Sequence, residues 1–527
     1  MNTLLTARRL VQGAALLTGT GTFFGLVGSV HAQPLFSFNP GDLVVSRSVY
    51  QDVGPVANLL VGDNLPDSKD GTAATSYKAV ADGTYPNVFK NAGADPSFSV
   101  SSAIYLDQLT RSGAFVNTQS IPTSQLVTSF PSKSELGLNL STNGSSLTFM
   151  GYTAAVGTLD ISNSKTPGNT ETGNYVTTAP TYRAVFQINA DGTSSVTQTQ
   201  AYSGNNGRNA ILDNTNNQYL TVGNAGNGNV DGNIPAENGV QSITPGQDPT
   251  TATTPVGTYD ITQNGHAQDK TPKDNNFRGE TIFNGTLYVT KGSGGNGINT
   301  VYQVGQSGTL PTGKNNPISI LSGFSTTLAN GTTGNVLHPF GLFFANATTL
   351  YVADEGAQSI KDTVATNTNA GLEKYSFANG NWKLDYTLQN GLNLDTQYTV
   401  TDASGANTYT TATDGLRNLA GNVNADGTVT IYGITSTVSN QTTTGDQGAD
   451  PNKLVGINDI LLNTTAFGAA GESFTTLESA KYGEVLRGVA NAPSAAPEPS
   501  QTAAMGFTLA GLLGMIIRKR KSAKSAG

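Results

Sequence analysis

Residues 285–293 read GTLYVTKGS, and what this stretch is decides the fold. A turn glycine opens it, and alternating apolar and β-branched residues follow, the pattern of a buried strand. The same pattern recurs as GDLVVSRSV (41–49), SSLTFMGYT (145–153), NQYLTVGNA (217–225), TTLYVADEG (348–356) and GTVTIYGIT (427–435). A different strand type precedes most copies: GRNAILDNT at 207, FRGETIFNG at 277, PFGLFFANA at 339 and LRNLAGNVN at 416. A third type follows, as in YRAVFQINA (182), NTVYQVGQS (299) and GLEKYSFAN (371), and a fourth in SSVTQTQAY (194) and NWKLDYTLQ (381). Asp-Gly at 191–192 and 426–427 and Asn-Gly at 284–285 supply hairpin turns where positive φ is needed.

Four consecutive strands repeated around a ring make the blades of a β-propeller. The chain enters on a second-type strand at Asp42, and its missing first-type partner stands at the far end, GEVLRGVANAP (483–493). That strand is expected to join the N-terminal blade and close the ring without a free edge. Six second-type strands predict an all-β, six-bladed propeller over residues 33–493; a degenerate unit hidden in 226–276 would make seven.

Composition agrees. Sixty-two glycines in 527 residues are roughly 12%, against about 7% on average, and charged residues are only 12%. There is no cysteine, which excludes disulfides and thiolate chemistry, and the three histidines (His31, His266, His338) leave little material for zinc.

Both ends read as processing segments. Arg8 and Arg9, an apolar run over Gly13–Val30, and Val30-His31-Ala32 predict a signal peptide over 1–32. At the other end, 494–527 carries Pro497-Glu498-Pro499-Ser500, an uncharged helix over 502–517 and a basic tail over 518–524. This three-part arrangement resembles the PEP-CTERM sorting signal, with Ala496 where that motif usually has Val. The resemblance implies an exosortase-type processing enzyme as partner and cleavage near the motif. Sixteen residues rise about 24 Å, short of the roughly 30 Å hydrocarbon core, so membrane insertion is expected to be transient. Everything between the two segments is expected outside the cytoplasmic membrane, at the surface or in the extracellular matrix. TTLYVADEG likewise resembles an NHL-type propeller strand, although the rest of that pattern is absent.

Removing the two basic residues of the leader, the five of the tail and Glu498 leaves 21 basic against 35 acidic residues, near −14. Such a body lacks the electrostatic footprint of a nucleic-acid binder. Candidate chemistry is sparse. Arg208, Arg278, Arg417 and Arg487 hold the same place in four first-type strands, each followed by Gly or Asn; Phe340 stands there in a fifth. They are expected either to bind a carboxylate or phosphate at the channel mouth or to bridge blades, with Glu280 and Glu484 as neutralising acids. Gly292–Gly297 matches G-x-G-x-x-G but leads into INTVYQV, a strand, so no dinucleotide site is expected. Asp354-Glu355 lacks the ligand spacing of a calcium loop, Trp382 reads as blade packing, and no catalytic residue, metal or cofactor is expected. The expected function is a binding or structural module, with polysaccharide as the candidate ligand. A lactonase-like hydrolase, a polysaccharide lyase and an adhesin are the alternatives.

Overall fold

The computed structural model describes residues 37–495, apart from 170–178, 227–236, 293–294, 330–335, 357–368, 440–447 and most of 52–99. The leader, the motif Pro497–Ser500, the helix expected over 502–517 and the basic tail lie outside the described residues.

Among those residues the chain forms a six-bladed β-propeller of antiparallel blades. Blade 1 orders its strands Glu484–Asn491, Leu43–Val49, Ser101–Leu109 and Phe115–Ser120. Blade 2 runs Asn139–Leu140, Ser146–Tyr152, Arg183–Asn189 and Ser194–Thr199. Blade 3 consists of Gly207–Asp213, Gln218–Gly223, Gly239–Ile243 and Thr254–Gly257. Blade 4 has Glu280–Phe283, Thr286–Lys291, Thr300–Val304 and Ile318–Ile320. Blade 5 has Pro339–Asn346, Thr349–Asp354, Gly371–Ala378 and Asn381–Leu388. Blade 6 has Thr408–Val423, Thr428–Ser439, Lys453–Ile460 and Thr475–Ser479, and its long first strand also pairs with an added strand, Gln397–Thr401.

The terminal closure is as expected: Glu484–Asn491 pairs along Leu43–Val49 from Leu43 opposite Asn491 to Val49 opposite Glu484. Among its described residues the stretch 226–276 shows no seventh unit. Its two strands complete blade 3, and the 3-10 turn Ile261–Asn264 and the short helix Thr271–Asp274 lead to blade 4.

The core lies between blades rather than at one centre. In TTLYVADEG, Leu350 and Val352 pack with residues of blade 4, while Tyr351 and Ala353 pack with residues of blade 6. Successive side chains leave a strand on opposite faces, and here both faces are covered. The second strands of blades 2, 3 and 5 are therefore buried at every position, which is why they read as continuous apolar runs. Equivalent clusters fill the 1–2, 2–3, 3–4 and 6–1 junctions. The Asn-Gly signal at 284–285 behaves as read, with φ of 46° and 70° in a two-residue turn. Asn379-Gly380, with φ of 52° and 83°, makes a second such turn in blade 5.

Candidate functional site

The first strands of the blades surround the channel, and the dipeptide formed by each arginine and its follower is their repeating joint. Asn209 donates from Nδ2 to the Arg278 carbonyl at 2.6 Å, and Asn418 to the Arg487 carbonyl at 2.7 Å. Elsewhere the same position is glycine because the next blade's backbone takes the space of a side chain. A Cβ at Gly279, Gly341 or Gly488 would collide with the carbonyl oxygens of Phe340, Arg417 or Leu136. The follower is thus Gly where the neighbouring carbonyl presses in, and Asn where an amide reaches out to it. The ladder shifts register at Arg208, at Phe340–Gly341, at Arg417–Asn418 and at Arg487–Gly488. Such bulges re-aim the side chains they carry.

Arg208, Arg417 and Arg487 sit at these shifts, Arg278 stands just before the first strand of blade 4, and all four are buried. They are 2%, 8%, 3% and 2% exposed for Arg208, Arg278, Arg417 and Arg487. Arg208 donates to the Phe277 carbonyl of the next blade and Arg487 to the Phe130 carbonyl. Arg417 Nε lies 3.1 Å from Glu355 Oε2, and Lys133 Nζ lies 3.3 Å from Glu355 Oε1. Burial opposes ionisation of Glu355, but Lys133, Arg417, Arg278 and His338 outweigh it and hold the carboxyl down at about 2. Glu355 is therefore the central acid, and it links the residue before blade 2 to blades 5 and 6.

The two acids expected to neutralise the arginines do other things. Glu484 accepts from Arg47 at 2.7 Å, and Arg47 also pairs with Asp107 at 2.6 Å. Glu280 is 5% exposed, and neither of its carboxylate oxygens meets a hydrogen-bond donor among the described residues. Burial alone raises its carboxyl well above the ordinary range. Leu138, Leu342, Leu419 and Val489 hold the equivalent position in other blades. Replacing Glu280 with Leu should accordingly raise stability at pH 7, by about 1–3 kcal/mol on the scale of an unsatisfied buried group. It should also flatten the decline of Tm from pH 5 to pH 8, because a raised acid loses its proton on unfolding in that range. Scanning calorimetry of both chains across those pH values measures this.

The remaining sequence candidates are absorbed by structure. His338 Nδ1 bonds the Gly292 carbonyl at 2.9 Å, and the His338 backbone N–H donates to Asp354 Oδ2 at 2.6 Å. Asp354 also accepts from Gly356 N–H at 2.9 Å. His266 donates to the Thr326 carbonyl at 2.7 Å. Gly292–Gly297 leads into the strand Thr300–Val304, and Trp382 is buried against Phe344 between blades 4 and 5. Among the described residues no group of three or more His, Asp or Glu is arranged to hold a metal ion.

A cavity of about 470 Å³ lies where the first strands turn into the second, and all six blades contribute to its wall. Asn139, Asn209, Thr281, Asn284, Asn418 and Asn491 give it amides and hydroxyls, Glu280 gives it a carboxyl, and Leu138, Ile211, Leu342 and Phe343 give it apolar surface. Phe343 lies across Gly421, where a side chain would strike the ring. None of the four arginines belongs to this wall. Its polar residues were missed in the sequence because asparagine and threonine read there as turn chemistry.

No protein-family model matches the chain, and no curated protein does. Solved structures give only distant likenesses. A quinonprotein alcohol dehydrogenase-like protein from Bacteroides thetaiotaomicron VPI-5482 aligns at 11% identity over 82% of this chain and 95% of its own, with a TM-score of 0.26. Drosophila Plexin A, in complex with Semaphorin 1b, aligns at 10% identity over 62% of this chain and 55% of its own, so the match spans about half of that chain, with a TM-score of 0.25. Synechocystis apocarotenoid oxygenase, as a Glu-to-Asp mutant, aligns at 7% identity over 81% and 64%, with a TM-score of 0.21. At these scores the likenesses carry no argument about activity, and the architecture rests on this chain's own strand order.

Proposed function

We propose that the protein is an exported β-propeller that binds a neutral, hydroxylated ligand in its central cavity, with a saccharide unit of an extracellular polysaccharide as the class that fits. The lining of the cavity carries this reading. Side-chain amides and hydroxyls offer both donors and acceptors, and Phe343 and the leucines offer apolar surface for the C–H faces of a sugar ring. The positive groups that would select a phosphate or carboxylate sit outside the wall, where Lys133 and Arg417 pair with Glu355, and the wall's one acid, Glu280, has its carboxyl raised by burial. Export rests on the leader at 1–32. Delivery rests on the tail, whose Pro497-Glu498-Pro499-Ser500 motif, uncharged segment and basic end resemble a PEP-CTERM signal read by an exosortase-type enzyme.

Two measurements test the two halves. Mass spectrometry of protein from culture medium should find a form starting near Gln33 and ending near Pro497; recovery of Gly527 only in membranes would count against sorting. Titration calorimetry should show neutral oligosaccharides binding, and Phe343→Ala should weaken binding about tenfold, equivalent to about 1.4 kcal/mol. Binding only of acidic oligosaccharides, or an affinity unchanged by Phe343→Ala, would remove the cavity from the account.

A further inference from the structure

Blades 5 and 6 meet through a buried ion-pair cluster that the proposed ligand site does not use. Lys374, on the third strand of blade 5, and Asp459, on the third strand of blade 6, have side chains with no exposure, and Nζ lies 2.7 Å from Oδ2. Tyr386 donates to Asp459 Oδ1 at 2.6 Å, and Tyr351 donates to Oδ2. Glu472, on the connection after the third strand of blade 6, accepts from Ile460 N–H at 3.1 Å and from Asn463 Nδ2 at 3.4 Å; burial and the neighbouring Asp459 carboxylate raise its carboxyl to about 7. Lys374 Nζ also reaches the Tyr386 hydroxyl at 3.0 Å and the carbonyls of Ile460 and Leu461 at 2.9 and 3.1 Å.

We propose that Lys374 and Asp459 condense to an intramolecular isopeptide bond that staples blade 5 to blade 6. Burying two opposite charges costs the hydration of both, and an amide in the same place carries no charge. The cluster holds what the condensation needs. The Lys374 ammonium yields a proton to the Asp459 carboxylate across their contact, leaving an amine against a neutral acid. The Nζ lone pair attacks Cγ, forming the N–C bond, and the oxygen that gains charge is held by a tyrosine hydroxyl, as in an oxyanion hole. Glu472 delivers a proton to the departing hydroxyl, the C–O bond breaks and one water leaves. Glu472 then recovers a proton from the new amide nitrogen, so ammonium plus carboxylate becomes amide plus water with no other reactant. The product keeps its partners: a tyrosine hydroxyl for the amide oxygen and the Ile460 or Leu461 carbonyl for the amide N–H. A chain without cysteine has no disulfide to reinforce its ring, and this bond would tie together residues 85 positions apart.

Trypsin digestion of the denatured full chain and mass spectrometry test the bond directly. The expected result is a branched species joining residues 362–383 to 454–481, lighter than its two linear parts by one water, with no cleavage after Lys374. Unlinked peptides ending at Lys374, recovered from protein shown to be folded, would overturn the proposal and leave an ion pair. Lys374→Arg should give only unlinked peptides. Glu472→Gln should slow cross-linking at least tenfold while the fold is kept, and cross-linking at the wild-type rate would strike Glu472 from the mechanism. If either variant fails to fold, the wild-type digest still decides the bond.

Discussion

A chain ended at residue 482 is expected to lose its cooperative unfolding transition, while one ended at 495 should melt as the longer protein does. The shorter chain lacks Glu484–Asn491, the innermost strand of blade 1, and so exposes the whole ladder edge of Leu43–Val49. It also loses three side chains that are 1% exposed, Val485, Leu486 and Val489. Burying each is worth about 1.5–3 kcal/mol, so their sum alone is of the order of a typical domain's whole stability. Arg487, Gly488 and the Asn418 contact disappear with them, opening the ring on both sides. Residues 494 and 495 add one backbone bond, Ser494 N–H to the Gly144 carbonyl, so the longer chain keeps the closure. Differential scanning calorimetry of the two chains is the check, and a normal transition in the shorter one would mean that closure is not the source of stability.

The second large effect is expected at the waist of the channel. Glu355→Ala strips Lys133 and Arg417 of the carboxylate they share, at a cost of about 3–5 kcal/mol for a broken buried pair. The same group sets part of the acid limit. Its carboxyl sits at about 2 in the folded chain against an ordinary 4.5, so its contribution is fully present above about 4.5 and is lost as pH falls towards 2. That contribution is about 3 kcal/mol. Glu280 and Glu373, which burial raises, act with the opposite sign and favour the folded state as pH falls from 7 to 5. Chemical denaturation at pH 7, 5 and 3 should show the wild type more stable at pH 5 than at pH 7 and weaker again at pH 3. In Glu355→Ala the loss below pH 5 should be smaller.

Much of the ring could be read in advance from one strand type. GTLYVTKGS and its relatives are buried on both faces, so their apolar runs stand out against a chain of polar turns. The outer strands were harder to see. Phe115–Ser120 is almost entirely exposed and reads FVNTQS, and Gln397–Thr401 reads QYTVT, because outer strands cover no neighbouring blade. The first strand of blade 2 is only Asn139–Leu140, too short for any periodicity to show. At the site, the recurrence of Arg208, Arg278, Arg417 and Arg487 in the first-type stretches was legible, as was the Gly or Asn after each. That the follower is the cross-blade joint was not, since it depends on how closely one blade's carbonyl approaches the next.

The sequence by itself determined the all-β class, the four-strand unit and the closing role of residues 483–493. Those properties follow from alternation, turn chemistry and strand order, all of which are local or countable along the chain. Only the tertiary structure decided which charges meet. Glu355 and Arg417 are 62 residues apart and Lys374 and Asp459 are 85 apart, and no spacing rule links either pair. The packing of the blades brings them into buried contact, where the choice of partner sets whether a buried charge is held or is a liability. The same packing kept the arginines out of the cavity wall and left it to amides, hydroxyls, apolar side chains and the Glu280 carboxyl.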